Sequence, residues 1–272
     1  MAQNYMPPDE FQGLSPVDMH NLLYDTFGGK SPLSFSDTIN DDILDQIPLF
    51  RIAEEYLKII QRDKQIKLTP LGALPKKVMA ELYDKRFLPD EYIESGITKL
   101  WKEGDCISIM SARFSAELAG LVKKANNRLT LTKTAARYLD TNNRLQIFKQ
   151  FFQAFTGKFS WSYNDGYPEQ PIGQLGWAYS VIMLRKYGNQ PRTAHFYAEK
   201  YLQAFPAFLT FFPPEESTPV EQYFGCYTIR TFERFLLWFG FVTANKQHTF
   251  SDLHTDTFKQ TELLKHIFDV NR

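Results

Sequence analysis

Residues Ile107–Asp140 read ISIMSARFSAELAGLVKKANNRLTLTKTAARYLD, and the order of signals in them decides the architecture. The apolar residues run at helical spacing and end at Ala119-Gly120, where glycine stops a helix readily. Ala125-Asn126-Asn127 then reads as a turn, Arg128 to Leu131 as a strand, and Thr132 as the cap of a second helix. The stretch predicts a helix, a short hairpin and a helix.

A related order appears twice more, at Tyr56 to Tyr83 and at Phe232 to Phe268. In the first, Leu49, Ile52, Ala53, Tyr56, Leu57 and Ile60 share one helical face that belongs in a core. A turn at Arg62-Asp63-Lys64, an alternating Ile66-Lys67-Leu68, a capping Thr69 and a helix from Lys76 to Tyr83 follow. In the last, a helix from Tyr227 to Phe239 leads into Gly240-Phe241-Val242. A turn near Asn245-Lys246, a strand around Thr249-Phe250 and a helix from about Asp256 to Phe268 complete it.

Around these stretches, residues 1–14 read as a flexible polar arm. Ser15-Pro16-Val17-Asp18 reads as a helix start, with a capping side chain, a proline whose missing N–H is harmless, and an acid at the third position. Ser31-Pro32-Leu33 opens a loop, and Asp90 to Leu100 predicts a short helix ending at Trp101. In Arg144 to Phe155, Leu145, Phe148, Phe152 and Phe155 form a stripe suited to core packing. Asn164-Asp165-Gly166-Tyr167-Pro168 is a turn cluster and a candidate boundary. Helices at Ile172 to Lys186 and Arg192 to Phe205 follow it. The predicted domains are therefore 15–163, holding two of the repeated units, and 164–272, holding the third.

The 272 residues suffice for one large or two ordinary domains, and 24 Phe, 14 Tyr and 4 Trp exclude a disordered chain. Net charge is zero, with 31 basic and 31 acidic residues, which excludes an overall polycation. The charge is nonetheless uneven: acids dominate residues 1–55, while Lys123, Lys124, Arg128, Lys133, Arg137, Arg144 and Lys149 face only Asp140 in 123–149. Cys106 and Cys226 make no metal-ligand spacing and suit two buried thiols in a reducing cytoplasm, with a disulfide between them as the alternative. No secretory leader and no apolar run long enough to span a bilayer is seen, so the expectation is a cytoplasmic protein without a membrane partner.

Ala119-Gly120-Leu121-Val122 followed by Arg128-Leu129-Thr130-Leu131-Thr132-Lys133 resembles the wing of winged-helix repressors of the multiple-antibiotic-resistance type. Gly240-Phe241-Val242 is similar, and Leu68-Thr69-Pro70-Leu71-Gly72 resembles the exit of such a wing. The run Leu68 to Pro75 is also similar to one in bacterial proteins, a likeness that implies no activity. The resemblance implies a mainly α fold of winged-helix-like units packed with additional helices. It also implies a candidate nucleic-acid surface, with Arg113 towards bases and Lys123, Lys124, Arg128, Lys133 and Arg137 towards phosphates. Glu54-Glu55 in the first unit would meet phosphates badly, and the aromatic helix Phe235 to Phe239 of the third suits a core or a protein contact.

No stretch carries a catalytic constellation. Gly72 lacks the glycine pattern and the Lys-Ser or Lys-Thr pair of a phosphate loop. His248, Asp252, His254 and Asp256 lie close together but lack a second ligand pair, so no metal or other cofactor is assigned. The reading is a non-enzymatic structural or protein-interaction module that binds a protein partner or itself. Its alternatives are a DNA-binding regulator using the basic surface of residues 113–137, and an enzyme whose site assembles from distant residues.

Overall fold

The computed structural model describes residues 6–213, 218–246 and 255–271, and the fold is mainly α with small antiparallel sheets. The helices are α1 (Pro16–Tyr24), α2 (Asp41–Leu44), α3 (Pro48–Asp63), α4 (Lys76–Asp84), α5 (Glu91–Glu94), α6 (Ile107–Leu118), α7 (Lys133–Asp140), α8 (Arg144–Gly157), α9 (Trp177–Tyr187), α10 (Ala194–Ala204), α11 (Pro219–Tyr227) and α12 (Glu262–Ile267). The strands are β1 (Leu33–Phe35), β2 (Ile66–Lys67), β3 (Val122–Ala125), β4 (Arg128–Leu131), β5 (Arg192–Thr193), β6 (Val242–Asn245), β7 (Thr257–Gln260) and β8 (Phe268–Val270). Among the described residues no helix is long and apolar enough to cross a membrane.

The chain divides into two units, residues 40–159 and residues 1–39 with 160–272. Residues 15–39 thus belong with the C-terminal part and not with the domain 15–163 predicted for them. The tie is a pair of strands: β1 lies antiparallel to β8, with Leu33 opposite Val270 and Phe35 opposite Phe268. Such pairing over a large sequence separation has no local signal, and Ser31 to Phe35 therefore reads as loop from the sequence.

In the unit 40–159 the sheet order is β2-β4-β3, all antiparallel, with Ile66 opposite Leu129 and Val122 opposite Leu131. Tyr56 to Tyr83 is therefore not a separate copy of the repeat. Its two-residue strand is too short to stand alone, so it borrows β4, and the Leu68 N–H donates to the Asn127 carbonyl at 2.9 Å. Residues 48–84 are the first half of a module that α6, β3 and β4 complete.

The unit formed by 1–39 and 160–272 contains the same succession. It runs α9, β5, α10, then α11 continuing as a π-helix over Thr228–Leu236, then β6 and β7, in sheet order β5-β7-β6. The two modules agree in backbone detail. Gly120 and Gly240 have φ of 71° and 70°, a left-handed turn that favours glycine. The Thr132 N–H donates to the Leu121 carbonyl at 3.0 Å, as the Thr261 N–H does to Phe241 at 3.0 Å. The hydroxyls of the same threonines donate to the carbonyls of Gly120 and Gly240 at 2.9 and 2.7 Å.

Several predicted helices are shorter than their sequence signals. Asp90 to Leu100 forms only α5, because Gly96 takes a φ of 77° just beyond it. Thr257 to Gln260, predicted as helix, is β7, since its backbone pairs with β6 on one side and β5 on the other. The strand placed around Thr249-Phe250 lies outside the described residues.

Both cores are aromatic. In the unit 40–159, Phe148 of α8 meets Phe50 at a ring-centre distance of 5.4 Å and Phe152 at 5.7 Å. In the other, Trp177, Phe235, Phe241 and Phe268 touch one another at 5.6 to 6.0 Å. Phe152 is fully buried, and Phe152→Ala should lower stability by about 3–5 kcal/mol through lost transfer energy and a cavity. Equilibrium urea denaturation measures it. Cys106 and Cys226 are free, buried and in different units, at equal distances before Gly120 and Gly240. Burial pushes both thiols up, Cys226 to about 12. A thiol reagent at pH 8 should accordingly modify neither in the folded protein and both after denaturation.

Candidate interaction surface

The helix before the β3-β4 hairpin is the element expected to offer Arg113 to DNA bases. It packs instead against α3, α4 and α8, and the Arg113 side chain is only 2% exposed. Its Nη1 donates to Glu103 Oε2 at 2.6 Å, its Nε to Glu117 Oε1 at 2.7 Å, and its Nη2 to the Gly72 carbonyl at 3.1 Å. Glu103 Oε2 also accepts from the Leu74 N–H at 2.8 Å. Arg113 therefore does not face a ligand in the solvent, and the expectation that it reads bases is corrected. A buried guanidinium is tolerated when its charge is paired and hydrogen-bonded, and here each of its three nitrogens has an acceptor inside the module. Glu117 lies four residues on and was visible in the sequence. Glu103 was not, because it sits on the turn before the helix and reaches Arg113 only when that turn folds back.

Burial pushes the Glu103 carboxyl up, with the charge of Arg113 opposing the shift. Tyr56 lies beside the pair, and burial pushes its buried hydroxyl well above the usual phenol range.

The network has a surface consequence. Arg113 and Glu103 grip the backbone of residues 72–74 from below, while the Asn127 side chain donates to the Leu68 and Thr69 carbonyls at 3.2 and 2.9 Å. Between these clamps Pro70 and Leu71 form a tight turn closed by the Gly72 N–H donating to Thr69 at 2.8 Å. Leu71 stands at its tip, 96% exposed. Trp101, 64% exposed, lies on the segment leading into Glu103, with the Lys76 ammonium 4.1 Å and the Lys99 ammonium 5.9 Å from its ring centre. On the hairpin side, a Cβ placed on Gly72 would lie 3.6 Å from the Lys124 ammonium.

The remaining candidate contacts are exposed. Lys123 and Lys124 project from β3, Arg128 from β4, and Lys133 and Arg137 from α7. Arg128 donates to the Gln65 side chain at 3.1 Å, and Arg137 lies over the Tyr138 ring at 5.5 Å. None of these five takes part in an ion pair among the described residues. By contrast Arg144, counted in the same basic stretch, is internal: it pairs with Glu54 at 2.6 Å, Asp45 at 2.8 Å and Asp41 at 3.5 Å. Leu71 and Trp101 lie outside the contacts expected from the sequence. The available signal was Pro70-Leu71-Gly72, an apolar residue inside a turn.

The other unit offers no comparable surface on its equivalent helix. Arg230 is fully buried and pairs with buried Asp165 at 2.5 Å, and its remaining N–H groups donate to the carbonyls of Gln170 and Pro168 at 2.6 and 2.7 Å. It thereby folds the turn cluster Asn164 to Pro168 onto this unit. A groove of about 510 Å³ is lined there by Asp18, Lys30 and Lys186 among others. Asp18 is committed to capping α1 through Ser15, and Lys186 donates to the Gln12 carbonyl at 2.7 Å. Among the described residues no group of His, Cys, Asp and Glu could hold a metal. His248, Asp252 and His254 lie outside them, and Asp256 is buried. The chain matches no family model, no curated protein and no solved structure.

Replacing Arg113 by Met strands two acids inside the module, and the expected loss is about 3–5 kcal/mol. The double change Arg113→Met with Glu103→Leu should recover part of it, since the buried charge of Glu103 goes together with its partner while the Leu74 N–H loses its acceptor. Urea denaturation of the three proteins measures both steps.

Proposed function

We propose that the two modules are winged-helix-like units that serve as a scaffold for protein contacts, without enzymatic activity and without reading DNA sequence. The helix–strand–helix–helix–hairpin order and the sheet orders β2-β4-β3 and β5-β7-β6 support the winged-helix part, in keeping with the likeness to repressors of the multiple-antibiotic-resistance type. The single observation that carries the functional part is the burial of the helix ahead of each hairpin. A reading helix needs an exposed face with donors that reach base edges. In α6 the one arginine is internal, and the helical run from α11 through the π-helix buries Tyr223, Tyr227, Arg230, Phe232 and Phe235.

The rival reading, a DNA-binding regulator, is favoured by Lys123, Lys124, Arg128, Lys133 and Arg137, which are exposed and take part in no ion pair among the described residues. Charges of this kind attract phosphates without distinguishing sequence. Binding to a pool of genomic DNA fragments at low and moderate salt, with a Lys123→Ala, Lys124→Ala, Arg128→Ala variant alongside, separates the two. Weak, unselective retention that vanishes with added salt is the expected result. Selective retention at moderate salt that is lost in the variant would overturn the proposal in favour of DNA binding.

A further inference from the structure

The geometry points to the Leu71 turn, with Lys124 beside it, and the Trp101 ring, with Lys76 and Lys99 beside it, as a docking site for an acidic segment of a partner protein that carries an apolar anchor. The inference rests on the protein-contact reading above and names the chemistry of the partner. Large exposed apolar side chains are normal when scattered and single. Leu71 differs in being held: its turn is closed by its own hydrogen bonds and clamped at one end by Asn127 and at the other by the buried Arg113 and Glu103. A rigid apolar projection loses little conformational entropy on binding, which makes it an efficient anchor. The backbone at Trp101 is also held, its main-chain N–H donating to Asp105 Oδ2 at 2.9 Å.

Charge selects the partner. The ammonium groups of Lys76 and Lys99 lie by the indole, and that of Lys124 lies over Gly72, beside Leu71. None of the three is engaged in an ion pair among the described residues, and neither is Lys123. Cations around an apolar knob complement carboxylates around an apolar residue. Duplex DNA would use the lysines but has no use for Leu71.

The test uses the full chain and a panel of fluorescein-labelled peptides with Leu, Phe or Trp spaced among Asp and Glu. The same peptides with Asn and Gln in place of the acids, a mixed-sequence DNA duplex and vesicles of phosphatidylserine with phosphatidylcholine serve as competing probes. Binding of acidic peptides is expected, weakened by salt, absent for the amide versions, and reduced about tenfold or more by Leu71→Ser, the effect of losing one buried leucine. Leu71 is so exposed that this substitution leaves folding intact, which thermal denaturation checks. Charge reversal at Lys124, Lys124→Glu, should weaken the same peptides and spare none.

The inference is overturned if no acidic peptide binds, if Leu71→Ser binds them as well as the parent chain, or if the vesicles or the duplex bind in preference and depend on the lysines alone. Failure of the peptides together with unselective DNA retention removes this site and leaves the scaffold reading in place. Selective DNA retention removes both.

Discussion

A guanidinium buried between two carboxylates organises the unit 40–159. Taking Arg113 out of water is unfavourable unless its charge is paired and its nitrogens find acceptors. Meeting that condition draws together elements that share no local signal: the turn carrying Glu103, the helix carrying Glu117, and the loop carrying Gly72. The register of that loop against the β3-β4 hairpin follows, because Asn127 holds its other end. Leu71 projects from the surface as a result of what is bonded beneath it.

The other unit solves a similar problem with the same residue type. Arg230 also lies on the helical run before a hairpin, is also paired with a buried acid, and also holds a loop through backbone carbonyls, those of Pro168 and Gln170. Its position relative to Gly240 differs from that of Arg113 relative to Gly120, so the two are comparable in use and not in alignment. In both modules the strands are only two to four residues long and cannot persist alone. They depend on helices whose faces are buried against more than one neighbour.

Charge is sorted by the same packing. The acids near residues 41–54 are partly consumed by Arg144, which takes Asp41, Asp45 and Glu54, while Lys58 adds a second contact to Glu54 at 3.1 Å. The lysines of the hairpin have no such internal claim on them. A neutral chain thus exposes a local basic surface on β3, β4 and α7.

The sequence by itself determined the local elements that carry strong periodicity or capping. The helix ending at Gly120, the turn at Asn126-Asn127, the strand Arg128 to Leu131, the cap at Thr132 and the Phe148-Phe152 stripe were all legible, because each depends on residues within a turn or two. Tertiary structure alone decided that Ile66-Lys67 adds to the strand at 128–131 and does not begin a third repeat, and that Leu33 to Phe35 pairs with Phe268 to Val270. It alone decided that Arg113 is internal while Leu71 is exposed. The reason is physical: strand partners and buried ion pairs are chosen by groups brought close in space, and neither a hydrogen bond across a long chain separation nor the desolvation of a charge leaves a mark on the neighbouring residues.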